Sequence, residues 1–151
     1  MITSLHALNR YSNEEVVKLA FTYLDAVYQG LKDYVRAKEE IEKGLKFESK
    51  WGRSLAMKSG ADSAMKVAQM MGYDLVIRKD PRTGFTKIKT APKKELNLQE
   101  LYDKILQREK ADRWFFHPSG HMLINGSSKN REVEPSQLNL EQLVEIVKNL
   151  S

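Results

Sequence analysis

The sequence predicts an α+β fold: a mixed or mostly antiparallel sheet built from two hairpins, packed against helices and preceded by a long N-terminal helix. Three observations carry this expectation. Apolar residues recur at helical spacing from Val17 to Ile41. Two pairs of strand-like runs flank turns containing Pro and Gly, at residues 80–84 and 117–120. Short amphipathic segments separate and follow these hairpins. With 151 residues, the chain fits one domain with a long arm, divided as a helical arm over 1–44 and an α+β domain over 45–151, together one continuous structural unit.

The elements follow in order. Ser12, Asn13, Glu14 and Glu15 form a capping box, in which the Ser12 hydroxyl accepts from the third helical amide and Glu15 reaches back. Val17, Phe21, Leu24, Tyr28, Leu31, Val35 and Ile41 then mark a helix of about 30 residues, or two with a break at Gly30, and Gly44 stops it. Its charged last turns, residues 38–43, are expected to run past the core as a solvated face. A short strand over 45–47 precedes a turn at 51–53 that buries Trp51. Ala64, Val67, Ala68 and Met71 mark a short helix ended by Gly72, and the methionines around it read as core filler. Residues 73–78 and 85–90 form the first hairpin, and Ala91-Pro92 ends it. Asn97 restarts a helix carrying Leu98, Leu101, Ile105 and Leu106. Residues 114–116 and 121–124 form the second hairpin, and Leu140, Leu143, Val144 and Val147 mark a closing helix.

Composition narrows the function classes. Hydrophobic residues make up 41% and charged residues 30%, enough apolar material for a core and too much for global disorder. The absence of cysteine removes disulfides, zinc–thiolate sites and cysteine nucleophiles. Only His6, His117 and His121 supply imidazole. No secretory leader and no run of some 20 apolar residues is present, so the expected location is cytoplasmic with no membrane partner.

The net charge is +5, mild as a total but localised. Between Arg78 and Lys94 stand seven cations (Arg78, Lys79, Arg82, Lys87, Lys89, Lys93 and Lys94) and one acid, Asp80. This local excess of six leaves the rest of the chain near neutral. Strand alternation places Lys87 and Lys89 on one face with Phe85, opposite Thr86, Ile88 and Thr90. Such a face suits a phosphate backbone, with the ring free to stack on bases. The competing reading is an edge strand whose lysines discourage sheet-to-sheet aggregation.

The second hairpin holds the densest polar functionality. His117 and Ser119 share a tight turn, Gly120 allows close approach of the backbone, and the amides of Gly126, Ser127 and Ser128 beside Lys129 suit an anion. Phosphate is the natural guest. A hydrolase triad fits poorly, because Ser119 lacks a nucleophile-elbow sequence and no carboxylate neighbours His117 in sequence. A metal site on His117 and His121 lacks Asp, Glu or Cys partners.

The string Phe115-Phe116-His117-Pro118-Ser119-Gly120-His121-Met122-Leu123-Ile124-Asn125-Gly126-Ser127 resembles the F-x-H-x-S-G and N-x-[ST] segment of a branch of the DHH phosphoesterase superfamily. That branch comprises metal-dependent hydrolases and exonucleases related to the melanocyte proliferating gene product. Leu8-Asn9 before the first helix, Trp51 after it and Ala91-Pro92 closing a hairpin are further echoes. The resemblance implies a DHH-associated, substrate-binding domain, with His117, Ser119, Gly120, Asn125 and Ser127 facing the substrate. Leu123 and Ile124 stand where the family has paired glycines, and these residues contain no D-H-H motif. The implied function is therefore a non-catalytic domain that binds a phosphate-bearing ligand, a nucleotide or single-stranded nucleic acid. No cofactor is expected in this chain; divalent metal would belong to a separate catalytic phosphoesterase subunit. Two alternatives stand beside it: a small metal-dependent phosphohydrolase using His117 and Ser119, and an interaction protein or homodimer assembled through the N-terminal helix.

Overall fold

A computed structural model describes residues 12–127 and 129–150; Ser128, His6 and Leu8-Asn9 lie outside the described residues. The chain divides into two compact units, Met1–Val35 and Arg36–Ser151. Helix α1 (Asn13–Glu42) begins at the expected capping box, with the Glu15 amide 3.2 Å from Ser12 Oγ and the Ser12 amide 3.1 Å from Glu15 Oε2. It continues through Gly30 without a break.

The second unit is an α+β domain. Six strands, β1 (Leu45–Ser49), β2 (Gly52–Lys58), β3 (Leu75–Lys79), β4 (Thr86–Thr90), β5 (Phe115–Phe116) and β6 (Met122–Asn125), form one sheet in the order β1-β2-β3-β4-β6-β5. Only β2 and β3 are parallel, joined through helix α2 (Asp62–Met70) as a crossover needs. Helices α3 (Gln99–Leu106) and α4 (Leu140–Lys148) complete the domain. Among the described residues no helix is long and apolar enough to cross a membrane.

Register shows how each face is used. Ala56, Ile77, Ile88, Leu123 and Phe116 pair in turn across β2, β3, β4, β6 and β5. Ala56, Ile77, Ile88 and Leu123 of this row are buried under α3 and α4, with Phe116 partly buried beside them and Trp51 and Trp114 in the same core. On the other face Leu55, Met57 and Val76 pack with Ala64, Met65 and Ala68 of α2 and with Ala37 and Ile41 of α1. The last turns of α1 therefore anchor to the domain through two apolar residues, while Lys38 and Glu39 stay exposed. A charged run hid that anchor.

Three further expectations are corrected. β2 is absent from the sequence reading because Ser54, Leu55, Ala56 and Met57 are all buried, so no alternation marks the strand. β4 lies between β3 and β6, so the edge-strand reading of its lysines does not hold. Of the methionines, Met57 and Met65 are core, whereas Met70 is 82% exposed.

Candidate functional site: an open cationic face of the sheet

The helical cover of the second face ends at β3. Its next row runs Met57, Arg78, Lys87, Ile124 and Phe115 across β2, β3, β4, β6 and β5. A parallel row runs Leu55, Val76, Lys89 and Met122. Beyond β3 these residues are only half-buried, and Phe115 is 55% exposed. Alternation within β4 explains the change: Thr86, Ile88 and Thr90 enter the core and leave Lys87 and Lys89 to the outer face.

At one end of this face lies a cleft of about 650 Å³. Arg78 and Lys87 come from the sheet, Arg82, Thr83 and Phe85 from the first hairpin turn, Gly126, Ser127 and Arg131 from the loop after β6, and Gly60 and Asp62 from the entrance to α2. The two segments picked out in the sequence thus meet in one cleft. Asp62 Oδ1 lies 2.9 Å from Arg78 and 3.4 Å from Lys87. Arg82 lies against Gly60, where a Cβ would fall 2.6 Å from its guanidinium, and its Nε is 3.5 Å from Asp80 Oδ1. Four cations face two carboxylates, which leaves the cleft positive. Arg78 Nε is buried without a hydrogen-bond partner.

Asp80 shapes this end of the cleft. Its Oδ1 accepts from the Arg82 amide at 2.8 Å, and its carbonyl accepts from the Gly84 amide at 2.8 Å, closing the turn. Burial pushes the carboxyl up, but hydrogen bonds from the Arg82 amide and guanidinium, the charge of Arg82 and the Thr83 amide outweigh it. The net pKa is lowered. Phe85 does not present a free ring: Gly126 has φ 72°, and a Cβ there would sit 2.5 Å from the Phe85 ring. The exposed aromatic is Phe115, which sequence reasoning placed in the hairpin without assigning it a face. Ile124, Gly126 and Ser127 also border a second depression of about 250 Å³ beside Phe115.

The residues singled out in the sequence separate into groups. Arg78, Arg82, Lys87, Gly126 and Ser127 line the cleft; Lys89 lies farther along the same face. Lys79 turns to the opposite face and donates to the Ser136 carbonyl at 2.8 Å and the Leu138 carbonyl at 2.9 Å. Burial lowers its pKa, with Glu109 opposing. Lys93 and Lys94 follow the far end of β4, Lys93 pairing with Asp74 at 3.2 Å.

His117, Ser119 and Gly120 sit at the other end of β6 from the cleft, about 16 Å away at strand rise. There Ser119 Oγ lies 2.8 Å from His117 Nδ1, which also accepts from the Ser119 amide at 3.1 Å. This is a local turn, and no carboxylate among the described residues bonds to His117. Gly120 (φ 77°) packs against Asn97, whose Oδ1 accepts from the Gln99 amide at 2.7 Å. His121 Nδ1 pairs with Thr90 Oγ1 at 3.0 Å. No group of three His, Cys, Asp or Glu side chains suited to a metal occurs among the described residues.

Asn125 is fully buried. Its Nδ2 donates to the carbonyls of Arg113 (2.7 Å) and Glu134 (2.9 Å), and its Oδ1 accepts from the Ser136 amide (2.7 Å). It clips the loop after β6 to the domain. Beneath it, Glu109 accepts from Trp114 Nε1 at 2.7 Å, Ser136 Oγ at 2.8 Å and the Gln137 amide at 2.6 Å. The anion concavity expected from the loop amides is partly spent internally. The Ser127 amide donates to the Asn130 carbonyl, and Ser127 Oγ accepts from the amides of Lys129 and Asn130. The positive charge of the cleft comes from the side chains of Arg78, Arg82, Lys87 and Arg131 rather than from these amides. Arg131, in a loop read only as polar, is the cation the sequence did not single out. Comparison of the chain with protein-family models finds no match, and comparison with curated proteins finds none.

Proposed function

We propose that this chain is a non-catalytic binding domain for single-stranded nucleic acid, held on the open face of β4, β6 and β5 with phosphates in the cleft. The observation that supports this reading is that Arg78, Arg82, Lys87 and Arg131 converge on one cleft that continues into a sheet face bearing an exposed ring, Phe115. Cations track the phosphate backbone, and an exposed aromatic stacks on any base, so the pairing gives affinity without sequence readout. Asp62 holds Arg78 and Lys87 in place but also lowers the local charge, which suits modest, salt-sensitive binding. The resemblance to the DHH-associated domain points to the same ligand class. On that resemblance, divalent metal and bond cleavage would come from a separate catalytic phosphoesterase subunit.

The test is fluorescence anisotropy with a short labelled oligonucleotide at several salt concentrations. For about three phosphates neutralised, the single-strand relation gives a log–log slope near −2, so affinity falls about 20-fold for a fourfold rise in salt. The Lys87→Ala/Lys89→Ala variant should bind more weakly and flatten the slope by about 0.7 for each lost contact. Absence of binding at low salt, or binding indifferent to salt, contradicts the proposal.

A further inference from the structure

We infer that helix α1 pairs antiparallel with α1 of a second copy of this chain. Within the first unit, Val17, Phe21, Leu24, Tyr28, Leu31 and Val35 are each more than half exposed. They alternate at spacings of four and three residues, the seam of a two-stranded coiled coil rather than the broader stripe of a helix lying on a sheet. Together they present on the order of 600–700 Å² per copy, and the flanking residues bring this near the roughly 800 Å² per partner of a stable interface. Eight large apolar or aromatic side chains, the six of the seam with Val27 and Tyr34 beside it, all at least one-third exposed, are a patch that isolated domains rarely leave open.

The flanks select the orientation. One side of the seam carries Ala20, Val27 and Tyr34, and the other carries Lys18, Asp25 and Lys32. A parallel pair would set each apolar flank against the charged flank of its partner. An antiparallel pair sets like flank on like flank, burying apolar residues together and leaving charges in water.

Packing then selects the register. Val17 opposite Val35 of the second copy, Phe21 opposite Leu31 and Leu24 opposite Tyr28 give six apolar layers, with Val27 beside Val27 of the second copy at the two-fold axis. This register also sets Lys18 near Lys32 of the second copy and Asp25 near Asp25 of the second copy. Sliding by one heptad would relieve those like charges but strip two seam residues of each copy of apolar partners, Val17 and Phe21 in one direction and Leu31 and Val35 in the other. An exposed charge pair contributes less than burying one of those side chains, so packing decides.

The experiment is sedimentation of the full chain over a wide concentration range, with four variants. The wild type should dimerise, and more tightly as salt screens the like charges, the opposite sign to nucleic-acid binding. Failure of one proposal is thereby separable from failure of the other. Leu24→Glu/Leu31→Glu should weaken the dimer at least 100-fold while the domain unfolds at an unchanged urea midpoint. Lys18→Glu should tighten it. Because the chain has no cysteine, Val27→Cys should form a disulfide-linked dimer under mild oxidation and Tyr28→Cys should not. A monomer at every concentration overturns the inference. So does cross-linking through Tyr28→Cys alone, the parallel signature, or capture of the helix by lipid vesicles with no self-association.

Discussion

Replacing Asn125 by alanine separates two roles for this residue, loop clip and ligand contact. Both N–H groups of its amide donate, to the carbonyls of Arg113 and Glu134, and its oxygen accepts from the Ser136 amide, with the residue fully buried. Asn125→Ala leaves two carbonyls and one amide without partners. The Ser136 amide lies in a residue only 5% exposed and bears close to the full penalty, about 2 kcal/mol. The Arg113 carbonyl adds ~1–2 kcal/mol, and that of the exposed Glu134, within reach of water, about 0.5 kcal/mol. The sum is a loss of about 4 kcal/mol. Urea denaturation followed by tryptophan fluorescence reads it as a lower midpoint at unchanged slope. A loss below about 1 kcal/mol together with abolished oligonucleotide binding would refute the reasoning and return Asn125 to the substrate-facing role that the DHH resemblance implies.

Other consequences are as specific. Because the folded-state pKa of Asp80 is lowered, its contribution is fully present above the ordinary aspartate range and fades as pH falls below about 4. Asp80→Asn should therefore cost about 1–2 kcal/mol at pH 6, and the gap to wild type should close in acid; a gap constant from pH 6 to pH 3 would contradict this. Gly126→Ala must hold a positive φ and push a methyl into the Phe85 ring, so thermal unfolding should report a loss of about 1–3 kcal/mol. Leu123→Ala, at a fully buried position in the central row of the sheet, should cost about 2–5 kcal/mol.

Period and punctuation made most of this fold legible. Ser12 and Glu15 begin α1 where the capping box sets its start, and Pro81 with Gly84 turns the first hairpin. Alternation in β4 correctly separated Lys87 and Lys89 from Ile88. Two elements escaped for physical reasons. β2 is buried on both faces, so its side chains carry no alternating signal. Ala37 and Ile41 anchor α1 from within a charged run, because two small or medium apolar residues suffice where the rest of the turn faces water.

The site was legible in its parts and not in its assembly. Arg82 and Ser127 were both singled out, yet only the pairing of β4 with β6 brings them together. The same pairing carries His117 to the far end of β6, a separation that no local pattern in residues 115–127 reveals. Phe115 was hidden by its neighbours: within Trp114-Phe115-Phe116, the two flanking rings enter the core and the middle one faces out.

The most direct test of the binding account is a residue-resolved one, amide NMR during titration with a short single-stranded oligonucleotide at low salt. The account predicts that Lys87, Phe115, Gly126, Ser127 and Arg131 shift together and saturate together, while α3 and α4 beneath the opposite face stay unchanged. Shifts confined to Lys93, Lys94 and the helical face, or no shifts at all, would contradict it.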